Sequence, residues 1–441
     1  RLRDYIKQIN NEPSCNFKLL IVINLLAFLH QEKDWFNKEI PLEGKTTSFD
    51  YYESLLSPNI TAIMTIIDTG STVNYDSEYD KQERLGTLYN ALPLTGDGSE
   101  EVRFKISNAL GTLDFSQTPL YVNGAINPDQ ESSRESIILN LVSKSAITNQ
   151  ETHVKKNYSK STNNTHSVKL IASNILKIDK LFADETSNKH PFIGNNKSPF
   201  DVICMLASKS TPENGNPGFF FYETRNGHHF KSIDNLISKG PVAEYYKKEI
   251  VRSSVNTDNN FKISLFSINK NQNLINALKS GVYSSRKIVF NPKTFKIEEN
   301  PYNIETLKKS LGKSEAPTPQ DQKYTRVLFG IKDVGALSPK VEESDEGDLN
   351  SYQGKVQMRY NLLFTQIVKI QVPCNPNLKA GDIIKCELET ITPDEKIQGV
   401  SDPVESGNYM ILDLCHHYDT KRSFTAMTLV RDTYGLHTNK S

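Results

Sequence analysis

The stretch Asn59 to Asp68, NITAIMTIID, sets Ile60, Ala62, Met64 and Ile66 on one side, with Thr61 and Thr65 between them. A period of two is the mark of a half-buried strand. Working outward, short strands are expected at Val102–Ile106, Leu120–Val122 and Ile137–Val142, punctuated by Gly96-Asp97-Gly98 and Asn127-Pro128-Asp129. Strands at this spacing, with no helical period between them, point to an antiparallel barrel or sandwich. Upstream, Phe17 to Leu29 (FKLLIVINLLAFL) follows Arg1, Arg3 and Lys7 and mimics a signal peptide. As a helix it would span about 20 Å against roughly 30 Å of hydrocarbon, and it carries no AxA-like cleavage site. Its β-branched centre, Leu20-Ile21-Val22-Ile23, reads instead as a buried strand, and Leu25 to Leu29 could turn helical.

Downstream the texture changes. Lys155 to Asn164 is polar and basic, and Thr165 to Leu176 carries Val168, Ile171 and Ile175 at helical spacing behind a Thr165 cap. Ser198-Pro199 opens a second helix, PFDVICMLASKS. Phe219–Glu223 and His229–Ile233 read as a hairpin turning at Asn226-Gly227. Lys313–Gln322 and the acidic run Val341–Asp348 read as loop or linker. A helix is expected over Leu349–Phe364, followed by strands at Ile367–Val372, Ile383–Leu388, Tyr409–Leu414 and Phe424–Val430. The fold class is therefore α+β, mostly β, with two β-rich regions around a mixed centre.

Composition bounds the function. At 441 residues the chain has room for about three domains. Its 52 basic and 52 acidic side chains cancel, leaving no global field to gather nucleic acid or an acidic membrane. With 24% charged residues, 22 Gly and 20 Pro it is neither disordered nor of low complexity. Cys15, Cys204, Cys374, Cys386 and Cys415 form no CxxC pair and read as free buried thiols from a reducing compartment.

No motif builds an active site. Ile66-Ile67-Asp68-Thr69-Gly70-Ser71 matches the aspartic-protease string, but that chemistry needs two carboxylates sharing a proton about 3 Å apart. No second Asp-Thr/Ser-Gly occurs, so Asp68 could serve only in a homodimer of about 100-residue units, and the bland reading is a turn ending the strand. His228-His229 and His416-His417 would point to opposite faces of a strand, without a carboxylate or Cys set at zinc spacing. Cys415 beside His416 is too short a pattern for a nucleophile pair. P-loop, dinucleotide-binding, GxSxG and HExxH strings are absent. The expected catalytic, cofactor-binding and metal sites are none, the expected cofactors are none, and the chain is expected not to be an enzyme.

The order of segments says more. DYYESLLSPNITAIMTIIDTG (Asp50–Gly70), SPFDVICMLASKS with NPGFFFYETRNGHHFKSID (Ser198–Asp234), SGVYSSRKIVFNPKTF (Ser280–Phe295) and LKAGDIIKCELE, SGNYMILDLCHHYD and FTAMTLVRDTYG (Leu378–Gly435) resemble the baseplate hub subunit of contractile-tailed, T-even-like phages and its marine-phage relatives. The resemblance covers the chain from about residue 45. It implies a homotrimeric ring in which each chain gives two tail-tube-like β-barrels, adapting a six-fold tail tube to a three-fold cell-puncturing spike. The implied partners are that spike, the tube or its initiator and wedge proteins, with no membrane and no sequence-specific nucleic acid. DNA would only pass through the lumen, and the location would be the virion tail baseplate, after assembly in host cytoplasm. The family offers no catalytic residues to carry over. The implied division is 1–44 packing on the first barrel, 45–160 the first barrel, 161–278 the mixed domain, 279–300 plus 352–435 the second barrel, 301–351 an inserted linker and 436–441 a tail. The alternatives are the hub part of another contractile injection machine, a carbohydrate-binding module, or the Asp68 dimeric protease. A ring that passes DNA must not hold it, so lumen side chains are expected to be neutral or acidic, with Lys155–Lys160 facing away.

Overall fold

The computed structural model describes residues 16–23, 38–42, 44–70, 73–76, 83–86, 100–131, 134–158, 162–213, 216–247, 259–270, 274–292, 295–304, 324–331, 349–389, 401–402 and 404–432. Among the described residues ten strands precede the first helix: β1 (Asn16–Ile23), β2 (Lys38–Pro41), β3 (Thr46–Ser54), β4 (Thr61–Asp68), β5 (Val73–Asp76), β6 (Glu83–Gly86), β7 (Glu100–Ser107), β8 (Thr112–Asp114), β9 (Leu120–Glu131) and β10 (Arg134–Val142). The alternation read in NITAIMTIID is kept: Ala62, Met64, Ile66 and Asp68 turn inward, while Ile63 and Ile67 stay exposed. β3, β4, β10, β9 and β7 lie side by side, all antiparallel, around a core that includes Phe49, Tyr51, Met64, Phe104 and Leu139. Aromatic rings tie it across strands, with Phe104 centred 4.7 Å from both Phe49 and Phe115. The apolar run at Leu20–Ile23 is a strand, as expected, paired with β7; Leu25–Leu29 lies outside the described residues.

The centre holds α1 (Lys144–Glu151), β11 (Asn157–Tyr158), α2 (Asn164–Asn174), β12 (Leu181–Ala183), β13 (Phe192–Ile193), α3 (Pro199–Ser208), β14 (Phe219–Thr224), β15 (Gly227–Ser232) and α4 (Ile233–Ser238). α3 is capped as read, the Ser198 hydroxyl accepting from the Asp201 N–H at 3.3 Å. The cap of α2 differs from expectation. Asn163, not Thr165, accepts from a first-turn amide (His166 N, 2.9 Å), and the buried Thr165 hydroxyl donates to the Asp184 carbonyl instead. The hairpin's two loop residues are Arg225 and Asn226, with Gly227 opening β15 at φ +125°.

The remainder comprises β16 (Ala243–Lys247), β17 (Leu265–Lys270), α5 (Leu274–Ser280), β18 (Ser284–Asn291), β19 (Lys296–Asn303), β20 (Arg326–Ile331), α6 (Leu349–Leu363), β21 (Gln366–Pro373), β22 (Ile383–Leu388), β23 (Gly407–Asp419) and β24 (Ser423–Arg431). β17, β21, β24, β23, β22 and β16 enclose a second core that includes Tyr245, Val368, Ile384, Ile411 and Leu429. The mostly-β α+β class stands. The largest sheet among the described residues has fourteen strands and follows one branched path through both cores.

The pairing departs from the expected division in two places. β16 and β17, read as part of the mixed region 161–278, pair with β22 and β21 in the second core. β18 and most of β19, read as part of the second barrel (279–300), instead form a separate three-stranded sheet with β20, which lies with the end of β19 in the expected linker 301–351. A six-residue strand shows its own alternation in sequence but not its distant partner. Lys313–Gln322 and Val341–Asp348 lie outside the described residues.

α6 is buried on two sides. Tyr360 and Leu363 face a junction core with Phe220, Leu236 and Met410, while Met358 and Leu362 pack on Tyr302 and Ile304 of the small sheet. Gly354 continues that second stripe at i−4 from Met358. A Cβ there would lie 2.3 Å from the Tyr302 ring. An exposed helical Gly→Ala change gains about 1 kcal/mol; here the sign reverses. Gly354→Ala is expected to lose about 1–3 kcal/mol by overpacking, read as a lower thermal midpoint, and an unchanged or raised midpoint would contradict the packing.

Candidate functional site: the shared sheet and its junction

β23 is thirteen residues long, and its second edge is divided between two neighbours. Met410 to Gly407 pairs with β22 of its own core, whereas Asp413 to Asp419 pairs with Ser54 to Ser48 of β3. The changeover coincides with a register shift between Ile411 and Asp413 against β24. There Leu55 N–H donates to Leu412 O and Gly381 N–H to Ile411 O, each at 2.9 Å. One strand thus fuses two sheets.

The tip of the β14–β15 hairpin enters the seam. Glu53, at the inner end of β3 and 2% exposed, accepts from the Tyr51 hydroxyl (2.7 Å), the Arg225 N–H (2.8 Å) and the Ala380 N–H (2.9 Å). One carboxylate therefore ties the first β region, the hairpin and the second β region. Arg225 extends the clamp, its guanidinium donating to the carbonyls of Thr112, Pro376 and Asn377. Glu223 repeats the device, accepting from the Ile60 N–H (2.9 Å) and the Ser143 hydroxyl (2.6 Å). Asn108 donates to Cys374 O at 2.7 Å, a further bond between the two β regions. On the far side Arg359 of α6, 2% exposed, bridges Asp234 (2.8 Å) and Asp432 (3.0 Å). Burial pushes both Glu53 and Glu223 up to about 7, against the pull of their hydrogen bonds.

The sheet's outer face is covered near Met410 and Val430 by the junction core with the hairpin and α6. The rest is an uncovered strip running from β17 to β10. By register its charged members are Asp413, Asp50 and Asp419 at the centre, with Lys369 and Arg134 on the flanks. His417 sits between carboxylates, Nδ1 at 2.5 Å from Asp50 and Nε2 at 3.4 Å from Asp419, with its ring stacked on Phe424. The remainder mixes hydroxyls such as Ser48, Thr65 and Thr428 with apolar side chains such as Ile63, Ile67 and Ile138.

The residues singled out in the sequence are dispersed. Asp68 is fully buried, its Oδ1 accepting from the Gly70 N–H at 2.9 Å, with Gly70 at φ +80°. It is the turn that ends β4, and its buried carboxylate offers no face to a peptide. His228 is buried and His229 partly so, on opposite sides of β15; His416 faces the core and His417 the strip. Cys415, pushed up to about 12 by burial, shares the strip with His417, while His416 lies on the other side, bonded to Thr425. Cys374 and Cys386 are buried as expected, but Cys204 is exposed on α3, a correction that follows from its place on the helix's outer side. Cys15 lies outside the described residues. Lys155 and Lys156 are exposed. The junction carboxylates were missed in the sequence because Glu53 and Glu223 stand near the ends of their strands on the inward beat, after Phe49 and Tyr51 and after Phe219 and Phe221, and the amides that they bind are distant in sequence. Among the described residues no helix is long and apolar enough to cross a membrane, and no group of three ligands could hold a metal.

No family model matches the chain. It is 22% identical over 301 residues to "Probable baseplate hub protein gp334" of Vibrio phage KVP40, covering 64% of this chain and 69% of that one. The likeness read from segment order is borne out by that match. In fold the chain is similar to a tail protein from Neisseria meningitidis MC58 (TM-score 0.53, 10% identity, 94% of this chain and 97% of that one). It is likewise similar to the 43 kDa tail protein of prophage MuSo2 from Shewanella oneidensis (TM-score 0.51, 9% identity, 94% and 98%).

The junction predicts a pH signature. Folded values near 7 against about 4.3 unfolded mean that Glu53 and Glu223 bind more protons folded than unfolded, so their share of stability is full below about 4.3 and declines up to 7. The buried His228 (about 4) and His416 (about 3) act oppositely, their share being present above about 6.5 and lost as pH falls through those values. Glu53→Gln should therefore gain on wild type, in urea midpoint, as pH rises from 4.5 to 7 and hold constant above it; a pH-independent difference would refute the assignment. Glu53→Ala, which orphans two buried amides, is expected to cost about 3 kcal/mol.

Proposed function

We propose that this chain is a structural subunit of a contractile-tail baseplate hub, that three copies form a ring, and that the uncovered strip of the shared sheet lines its bore. One observation carries the reading: β23 joins two separate β cores into a single sheet whose outer face is largely uncovered and carries carboxylates at its centre. Two cores per chain and three chains per ring present six similar β units, the geometry needed to meet a six-fold tube above and a three-fold spike below. β17 and β2 end the path of the sheet, so contacts between unlike edges of neighbouring copies would close the ring as heterologous contacts do.

The division into two tube-like barrels, a mixed domain between them and a small inserted sheet belongs to this proposal, as do the spike, tube-initiator and wedge partners and assembly in the host cytoplasm. The role is mechanical. Asp50, Asp413 and Asp419 in mid-strip repel phosphates, and the neutral hydroxyls around them offer few charge-assisted contacts, so duplex DNA slides past without being held. The chain's contribution is stiffness and symmetry, with no bond made or broken.

Light scattering on the purified chain is expected to give three times 49.8 kDa, with ring-shaped views by negative staining; a stable dimer would refute the ring. Replacing Asp50 and Asp413 together by Lys is expected to leave assembly intact but make the particles retain duplex DNA at low salt and release it at high salt. Equal DNA retention by both forms would remove the strip from the bore.

A further inference from the structure

The small sheet β19-β18-β20 has one covered face and one bare one. On the covered side Val289 and Tyr302 are buried, and Tyr302 packs on Met358 and Leu362 of α6. On the other side the register brings together Ile288, Phe290, Ile297, Val327, Phe329 and Ile331. Phe290, Ile297, Val327, Phe329 and Ile331, with Phe295 at the rim, are between 37% and 81% exposed. Phe295 takes the left-handed conformation at φ +53°, costly for a bulky residue, and its exposed ring stands edge-on to Phe290, 6.1 Å between centroids. At roughly 200 Å² for a fully exposed large side chain, these six present on the order of 700 Å² of apolar surface. That exceeds the roughly 300–600 Å² of the largest patch on a typical monomer and approaches the about 800 Å² each partner gives to a standard interface.

The covered face mixes Val289 and Tyr302 with Ser285 and Lys287, whereas the centre of the bare face is apolar throughout, and an apolar face of that size calls for a further layer. We infer that the third layer is a single amphipathic α-helix from a different polypeptide, docking its apolar stripe across Ile288, Phe290, Ile297, Val327, Phe329 and Ile331. Size favours a helix: three strands about 4.8 Å apart make a face about 10–14 Å wide, the width of one helix, as α6 already demonstrates on the other side. Charge favours an apolar stripe. The pair Arg286–Glu299 (3.2 Å) at the polar end of the face satisfies itself, leaving no charge on the rest to recruit an ionic partner. A second copy is the poorer occupant, since a ring contact joins unlike surfaces and would need another apolar patch of like size on this chain. Among the described residues there is none. Ile63 and Ile67 with Ile138 and Ile126 make a smaller group broken by Thr65, Asn140 and Ser136, while Leu56, Phe182, Ile193, Ile237, Val242, Leu265 and Ile275 stand apart.

The inference rests on the hub reading for setting aside a second copy and for the particle in which its second test is made. First, the purified full-length chain is titrated with 8-anilinonaphthalene-1-sulfonate. Wild type is expected to bind the dye, and Phe329→Asp with Ile331→Asp to lose most of the signal, at least fivefold, while keeping the wild-type melting temperature. Equal binding by both, or none by wild type, overturns the open face. Second, Phe329 is replaced by p-benzoyl-phenylalanine in assembled tails, with the same replacement at exposed Phe182 as control. The expected product on irradiation is one adduct from position 329 and none from 182, joined to another protein through a peptide with apolar residues at i, i+3, i+4 and i+7. An adduct with a second copy of this chain, with a non-helical segment, or with nothing in intact tails overturns the proposal. Tails that lack the chain altogether would sink the hub reading and leave the dye result to decide this one.

Discussion

The Glu53 carboxylate is the point on which the rest of the structure turns. An ion buried away from water is expensive unless every lone pair is occupied, and Glu53 meets this condition only when three segments arrive together. Tyr51 comes from its own strand, the Arg225 amide from the hairpin tip and the Ala380 amide from the loop before β22. Remove any one and a buried acceptor or donor is stranded. The cost falls on wrong arrangements more than it rewards the right one, so the carboxylate selects a geometry. The β3–β23 ladder, sound for strand pairing, does not by itself fix the angle at which hairpin and sheets meet. The carboxylate and the guanidinium of Arg225, spread over three carbonyls, supply that constraint.

Much of this fold is local and was therefore readable. The strand at Asn59–Asp68, the helix behind Ser198-Pro199, the hairpin ahead of Gly227 and the four C-terminal strands follow from periodicity, caps and turn residues, which act within a few positions. What failed to read was partnership. Nothing in AEYYK or LFSINK says that these strands join β22 and β21, and nothing in RVLFGI distinguishes a strand of a small inserted sheet from a linker. Register and partner are settled by contacts 40 to 140 residues away, where neither propensity nor alternation reaches. The cap of α2 fails for a subtler reason: Asn163, Asn164 and Thr165 all suit the position, and the choice falls to whichever has the extended backbone, which the Thr165–Asp184 contact decides.

The functional surface was less legible than the fold, for a related reason. The eye is drawn to Asp68-Thr69-Gly70 because it is a string, yet the chain uses that string to end a strand. Glu53 and Glu223 are single acids near strand ends, on the same side as Phe49 and Tyr51 and as Phe219 and Phe221. They acquire meaning only when the topology brings an amide from the hairpin and another from the second β region to them. A protein whose work is to hold shape writes its function in pairs of distant residues, so segment order carried more information than any motif.

The way the two β regions are joined bears on how such a subunit transmits force. A hinge of flexible linker would let the halves tilt independently, and a ring of three such chains would be loose at three places. Here the halves share the backbone ladder of β23, with a register shift at Leu412 that lets one edge serve two neighbours. Shear between the halves must break main-chain hydrogen bonds in the β3–β23 ladder and, at the same time, drag the hairpin tip from Glu53 and the carbonyls that hold Arg225. These bonds lie side by side and act together, so the seam resists as a unit up to a threshold and then fails cooperatively. Stiffness below that threshold is what the proposed ring would need to couple a contracting tail to a spike, and on that proposal a buried polar cluster serves where an apolar one would pack as well but slide more easily.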